Sequence, residues 1–316
     1  MQLITEVELH EYPFRIDHHT PSLFMGSCFT ENIGRLMERW MFPLTVNPFG
    51  VTYNPASISR QLEALMQKEA YVAEELNHHN ELWFSFDHYT GFSSPERQNC
   101  LEGINRTFLD AKKVLQQASV LVITWGTSWV YRYNPTGEVV CNCHKIPSGQ
   151  FTRTRLSVNE ILNLYSDVIT RLFDFNAGLN ILLTVSPVRH WKDGAHGNQL
   201  SKASLLLATE ALELKFPGKV SYFPSYEMTM DELRDYRFYA DDMLHLNSIA
   251  TGYIWEKFQK VLVSGESQQI IGDLEPLLKM EDHRSRENSS IAHEKSLNKR
   301  QEKRAGLQEK YPFLKW

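Results

Sequence analysis

With 316 residues, 42% of them hydrophobic and 22% charged, the chain can bury the core of one large domain or two small ones. A formal net charge of -5 gives no electrostatic reason to expect a nucleic-acid partner, and no apolar run approaches the roughly eighteen residues of a membrane span. Four cysteines without a disulfide pattern, and acids where a signal peptide would carry basic residues, point to a cytoplasmic protein.

Val7, Leu9, Tyr12, Phe14 and Ile16 alternate well enough to predict a lead-in arm or edge strand. Asp17-His18-His19 follows; neighbours on an extended chain face opposite ways, which favours a solvated turn over a metal fragment. Ser22 to Met25 reads as a short buried strand. Ile33, Leu36, Met37 and Trp40 then repeat at i, i+3, i+4, i+7, the mark of an amphipathic helix. Gly26, Ser27 and Cys28 form the abrupt turn between them. Asn47-Pro48-Phe49-Gly50 through Asn54-Pro55 is a structured loop, and Pro55 opens a second helix.

Glu81 to His88 is aromatic and partly alternating, a predicted strand, and Arg97 to Gln117 has helical spacing. Ala118 to Thr124 and Leu179 to Ser186 are continuous apolar runs of the kind found in parallel sheets covered on both faces. Val130 to Tyr133 and Glu138 to Cys141 flank a Pro-Thr-Gly turn and read as a hairpin. Leu156 to Phe173, Ser201 to Phe216, Met228 to Tyr236 and Ser248 to Val263 read as helices, with a last short strand at Val220 to Phe223. Strands alternating with helices indicate an α/β fold, a three-layer α/β/α sandwich on a mostly parallel sheet. Residues 1–265 form that domain and 266–316 a charged helical extension. Asp282 to Lys310 reads as an exposed helix or partly disordered tail, and as the surface for a protein contact.

In such folds, sites gather beyond the carboxyl ends of the strands, where Ser27, Gly126, Arg189 and His190 fall. A hydroxyl at a helix start lies beside unpaired backbone N–H groups that favour negative charge, as an acyl-transfer oxyanion requires. By itself, Ser27 fits a helix cap equally well. A serine nucleophile also needs a base, and the base an orienting group. Asp242-Met243-Leu244-His245 can provide both, because residues three apart in a tight turn or first helical turn share a face. Asp242 would accept from His245 Nδ1, leaving Nε2 for the Ser27 proton.

Other groups compete. Cys28 is the rival nucleophile, or an inert core thiol. Cys141-Asn142-Cys143-His144 suggests zinc but lacks a second pair of similar spacing, so packing is the favoured reading. His190, Lys192 and His196 lie in one polar loop, fit either for an anionic substrate group or for solvent. Trp125 and Trp129 suit a sugar-stacking wall and a core equally.

Together these blocks resemble the SGNH/GDSL hydrolase superfamily, and closely its GSCFA family, through Gly26-Ser27-Cys28-Phe29-Thr30. Further matching blocks are Asn47-Pro48-Phe49-Gly50, Thr124-Trp125-Gly126-Thr127-Ser128-Trp129, Ser186-Pro187-Val188-Arg189-His190, Ser201-Lys202-Ala203, and Asp242 through His245 with Asn247. The resemblance implies a flavodoxin-like sheet, Ser27 as nucleophile, His245 as base and Asp242 as its orienter. It implies an oxyanion hole from the Ser27 and Gly50 N–H groups and an asparagine. No asparagine stands in the Gly126-Thr127-Ser128 block, so the hydroxyl of Ser128 or Thr127 is the expected replacement, with Asn47 and Asn54 near by. Asn54, Gly126, Trp129, Arg189 and His190 are the expected substrate contacts. The expected substrate is a small-molecule or carbohydrate ester, with no metal or organic cofactor, no nucleic acid and no membrane. The alternatives are an acyltransferase using the same residues, or a non-catalytic carbohydrate- or peptide-binding scaffold.

Overall fold

The computed structural model describes residues 5–282 and 291–316. It opens with β1 (Ser22–Gly26), α1 (Cys28–Arg39), β2 (Leu44–Val46) and α2 (Pro55–Gln67). The small pair β3 (Asn77–His79) and β4 (Leu82–Phe84) leads to α3 (Arg97–Gln117) and β5 (Val120–Trp125). Strands β6 (Trp129–Tyr133), β7 (Val139–Val140) and β8 (Phe151–Arg155) form an antiparallel side sheet. Then come α4 (Val158–Phe175), β9 (Asn180–Val185), α5 (Gly194–Lys215), β10 (Val220–Phe223) and the single turn α6 (Ser225–Glu227). The chain closes with α7 (Ser248–Leu262), α8 (Gly265–Asp282) and α9 (Ile291–Lys310).

The central sheet runs β10-β9-β5-β1-β2, and every pairing in it is parallel. Alternation sends Leu23, Met25, Leu121 and Ile123 into one core under α2 to α5. Phe24, Val120, Val122 and Leu182 enter a second core with α1 and α7. Burial on both faces explains why these strands read as unbroken apolar runs, and the result is a three-layer α/β/α sandwich. Strand order reverses between β1 and β5, so the crevice beyond their carboxyl ends is the natural place for a ligand.

Several local expectations change. The N-terminal arm makes one isolated bridge, Ile16 to Val263, and otherwise lies on the domain without joining the sheet. His18 is buried where a solvated turn was expected: its ring stacks on Phe42 and bonds Ser267 Oγ and the Trp40 carbonyl. Met228 to Tyr236 is a π-helical turn, Met228–Glu232, followed by a 3₁₀ turn at Tyr236–Phe238. Residues 283–290 of the expected charged tail lie outside the described residues. The described part of the extension is less solvated than its charge suggests. Ile270, Leu274, Leu277 and Leu278 of α8 bury an apolar seam with Leu307 of α9 and Leu314, packed on Trp40 and Met41.

Candidate active site

The turn at the end of β1 is held by close backbone contact. Gly26 has φ +143°, and a Cβ there would lie 2.2 Å from the Thr124 carbonyl oxygen on β5. Asn47 fastens the turn from the other side, its Oδ1 accepting the Gly26 N–H at 2.8 Å. Ser27 follows as the N-cap of α1, 1% exposed, with Oγ accepting the Phe29 N–H at 3.3 Å. Capping uses the oxygen as an acceptor only, so the O–H proton stays available. Capping and nucleophilic roles are therefore compatible.

Asp242 and His245 come from the loop ahead of α7. His245 Nδ1 lies 2.5 Å from Asp242 Oδ2, while Asp242 Oδ1 accepts the N–H groups of Leu244 and His245 at 2.9 Å each. The His245 backbone donor, then its ring, then the Leu244 donor hold the Asp242 carboxyl down at about 2. It is ionised at any ordinary pH and can fix the imidazole with its proton on Nδ1.

A cleft of about 320 Å³ is lined by Ser27 and His245, and by Cys28, Tyr53, Val188 and the pair Arg189 and His190. Burial, then the charge of Lys202, pushes His190 down to about 4, so its imidazole is neutral at pH 7 and carries one N–H. Burial pushes the Tyr53 phenol up to about 12, so it keeps its proton. Burial likewise raises the Cys28 thiol, which leaves it protonated and a poor nucleophile. Gly126 gives these rings room: a Cβ there would meet His190 Nε2 at 3.2 Å and Tyr53 Cδ1 at 3.3 Å.

Lys202 of α5 lies directly behind. It is 1% exposed, and its Nζ donates to the carbonyls of Gly126 and Ser186, each at 2.6 Å. Desolvation lowers its pKa to about 7. These two bonds tie together the chain leaving β5 and the chain leaving β9. Tyr53 was not singled out from sequence and Lys202 entered only within a matching block, without a role, although one further signal existed for the lysine. Lys202 stands in register with Leu205, Ala208, Thr209 and Leu212 on the buried stripe of α5.

The expected oxyanion donors are committed elsewhere. Gly50 N–H closes a turn onto the Asn47 carbonyl at 2.7 Å, and Ser27 N–H donates to the Thr124 carbonyl at 3.2 Å. The Thr127 and Ser128 hydroxyls both bond Ser201 Oγ, at 3.0 and 3.1 Å, below the loop surface. Two expected substrate contacts have partners within the fold as well. Asn54 caps α2 through Ser57, and Trp129 lies under the Arg153 guanidinium, 4.3 Å from its ring centroid. Trp125 is wholly buried and donates to the Tyr165 hydroxyl, so it forms no sugar-stacking wall. Gly126 acts through its backbone, and Arg189 and His190 line the cleft. The Cys141 to His144 segment belongs to the packing: His144 Nε2 lies within hydrogen-bond reach of the Ser85 and His88 carbonyls. Among the described residues, no three His, Cys, Asp or Glu side chains could hold a metal ion together. None of the described helices is long and apolar enough to cross a membrane.

The GSCFA family model matches residues 21–258, and the chain belongs to the GSCFA family. No curated protein matches it. Among solved structures, it is similar to an acetyl xylan esterase (Est2A) from the rumen bacterium Butyrivibrio proteoclasticus, at 10% identity and a TM-score of 0.37. The alignment covers 83% of this chain and 65% of that one.

Proposed function

We propose that the protein is a serine hydrolase acting on an ester of a small acyl group, with Ser27 as nucleophile, His245 as base and Asp242 as its orienter. The observation that carries this reading is the 2.5 Å contact between His245 Nδ1 and Asp242 Oδ2 on the rim of the cleft that also holds Ser27. With the proton on Nδ1 committed to Asp242, Nε2 is the basic nitrogen. Ser27 Oγ attacks the ester carbonyl carbon and its proton passes to Nε2. As the C–O bond to the alcohol breaks, that proton moves to the departing oxygen. Water then attacks the acyl-serine by the same route, releasing the acid and restoring the Ser27 hydroxyl. The developing oxyanion needs donors aimed into the cleft, and the neutral Tyr53 and His190 side chains supply them in this reading. The His245 side chain is 46% exposed, so water reaches the base readily. That favours hydrolysis over transfer to a sugar hydroxyl, which needs a dry pocket.

A neutral fluorophosphonate tests the assignment. It should label Ser27 covalently, fail on Ser27→Ala and label His245→Ala slowly. Absence of labelling on folded protein would overturn the hydrolase reading.

A further inference from the structure

We infer that the cavity next to the nucleophile cleft is a subsite for an anionic oxygen group, a carboxylate or a phosphate, carried by the substrate. Its catalytic meaning rests on the hydrolase reading; its ligand chemistry does not. The cavity measures about 220 Å³ and is lined by Arg189, Arg234, Asp235, Tyr236 and Tyr239, together with Thr229 and Met230. Arg189 also lines the cleft with Ser27, so the two spaces meet at one side chain.

The charges in this cavity are unbalanced. Elsewhere on the chain, Arg60, Arg153 and Arg171 each meet a carboxylate. Among the described residues, neither Arg189 nor Arg234 has one within 4.0 Å. Arg189 Nε is buried without an acceptor, as are Arg153 Nε and Arg171 Nε; but where those two guanidiniums meet a carboxylate through a terminal nitrogen, that of Arg189 reaches only the Tyr239 hydroxyl, at 3.4 Å. Asp235 is the one carboxylate on the wall, and it is engaged locally. Its Oδ1 accepts the Arg237 N–H at 2.8 Å and its Oδ2 lies 3.8 Å from Arg237 Nε. Two cations against one occupied anion leave the cavity with a net positive charge. A planar guanidinium with a free edge matches the paired oxygens of a carboxylate or phosphate. Tyr236 and Tyr239 add hydroxyl donors and apolar walls for the carbon skeleton that carries them. The substrate this arrangement fits is an ester bearing an anionic group, its acyl carbon at Ser27 and its charge beyond Arg189.

Isothermal titration of the Ser27→Ala protein tests the subsite without turnover. The probes are succinate, methyl phosphate and the neutral isostere succinamide. At least one anion should bind about tenfold tighter than succinamide, as expected for one charge-assisted pair, and the tighter anion identifies the group. That preference should fall severalfold in Arg189→Gln and also in Arg234→Gln, whose exposed position makes misfolding no explanation. Equal binding of all three probes, or a preference that survives both substitutions, would overturn the subsite. Fluorophosphonate labelling of native Ser27 separates the two claims. Labelling without an anion preference sinks the subsite alone, and an anion preference without labelling sinks the hydrolase alone.

Discussion

Ser27 is 1% exposed and hangs from a parallel sheet, whereas the His245 side chain is 46% exposed and hangs from a loop. The serine turn is fixed by contacts distant in sequence, to Asn47 and to the Thr124 carbonyl. The histidine is fixed by neighbours: Asp242 three residues away, the Ala240 N–H donating to its carbonyl at 2.8 Å, and a lone bridge from Tyr239 to Leu246. Met243 within that loop has φ +58°, a left-handed conformation that L side chains adopt at a cost. The contrast locates the adjustable part of the proposed machinery. A nucleophile built into the sheet cannot move without disturbing two cores, but the base can shift with its loop. The separation between Ser27 and His245 is therefore set mainly on the histidine side.

The contrast can be broken from either side. On the proposed reading, Asp242→Asn has the largest effect, because it removes the group that selects the Nδ1-protonated tautomer. In a buried triad such a change costs on the order of 10⁴ in kcat. Here solvent screens the pair, so a loss of about 10²–10³ is expected in ester-hydrolysis kinetics, with KM little changed. Gly26→Ala attacks the serine side. A Cβ 2.2 Å from a backbone oxygen, at a φ that L residues avoid, should destabilise the fold by about 3 kcal/mol or more in urea unfolding.

Lys202→Met should cost about 2 kcal/mol by leaving the Gly126 and Ser186 carbonyls without a donor, offset in part by removing a buried charge. Its pH signature is more specific. The folded-state pKa, about 7, lies below the ordinary lysine value, so the cost of burying the charge is fully present below pH 7. That cost is relieved as pH rises from about 7 toward the unfolded-state value near 10.4. Native stability relative to Lys202→Met should therefore grow across that window, seen as a rising difference in melting temperature. Met243→Gly should have the smallest effect. It relieves a left-handed methionine, and equilibrium denaturation should register a gain below about 1 kcal/mol.

Much of the architecture was visible in the sequence because its signals are local. Strands covered on both faces must be apolar throughout, so Ala118 to Thr124 and Leu179 to Ser186 stood out. Ile33 and Met37 showed the buried stripe of α1, and Pro55 after Asn54 marked the start of α2. The Asp242-His245 contact was equally local, since residues three apart in a turn meet whatever else the chain does. Of the two readings of the N-terminus the lead-in arm is the one found, and the Met228 to Tyr236 segment was misread because helical spacing also arises where single residues dock onto a core already formed.

The sequence by itself determined β1, β5, β9 and β10 and the main helices between them, the Gly26-Ser27 turn between β1 and α1, and the pairing of Asp242 with His245. Each depends on residues within one turn or one strand of each other. Only the tertiary structure decided how the polar groups are shared out. Ser27 N–H goes to the Thr124 carbonyl, the Thr127 and Ser128 hydroxyls go to a serine 74 and 73 residues further on, and Lys202 reaches back 76 residues to Gly126. That Arg189 meets no carboxylate is likewise visible only once the folded chain shows which carboxylates lie near and which do not. A donor can serve one acceptor well at a time, and which acceptor it meets is set by packing between elements far apart in the chain.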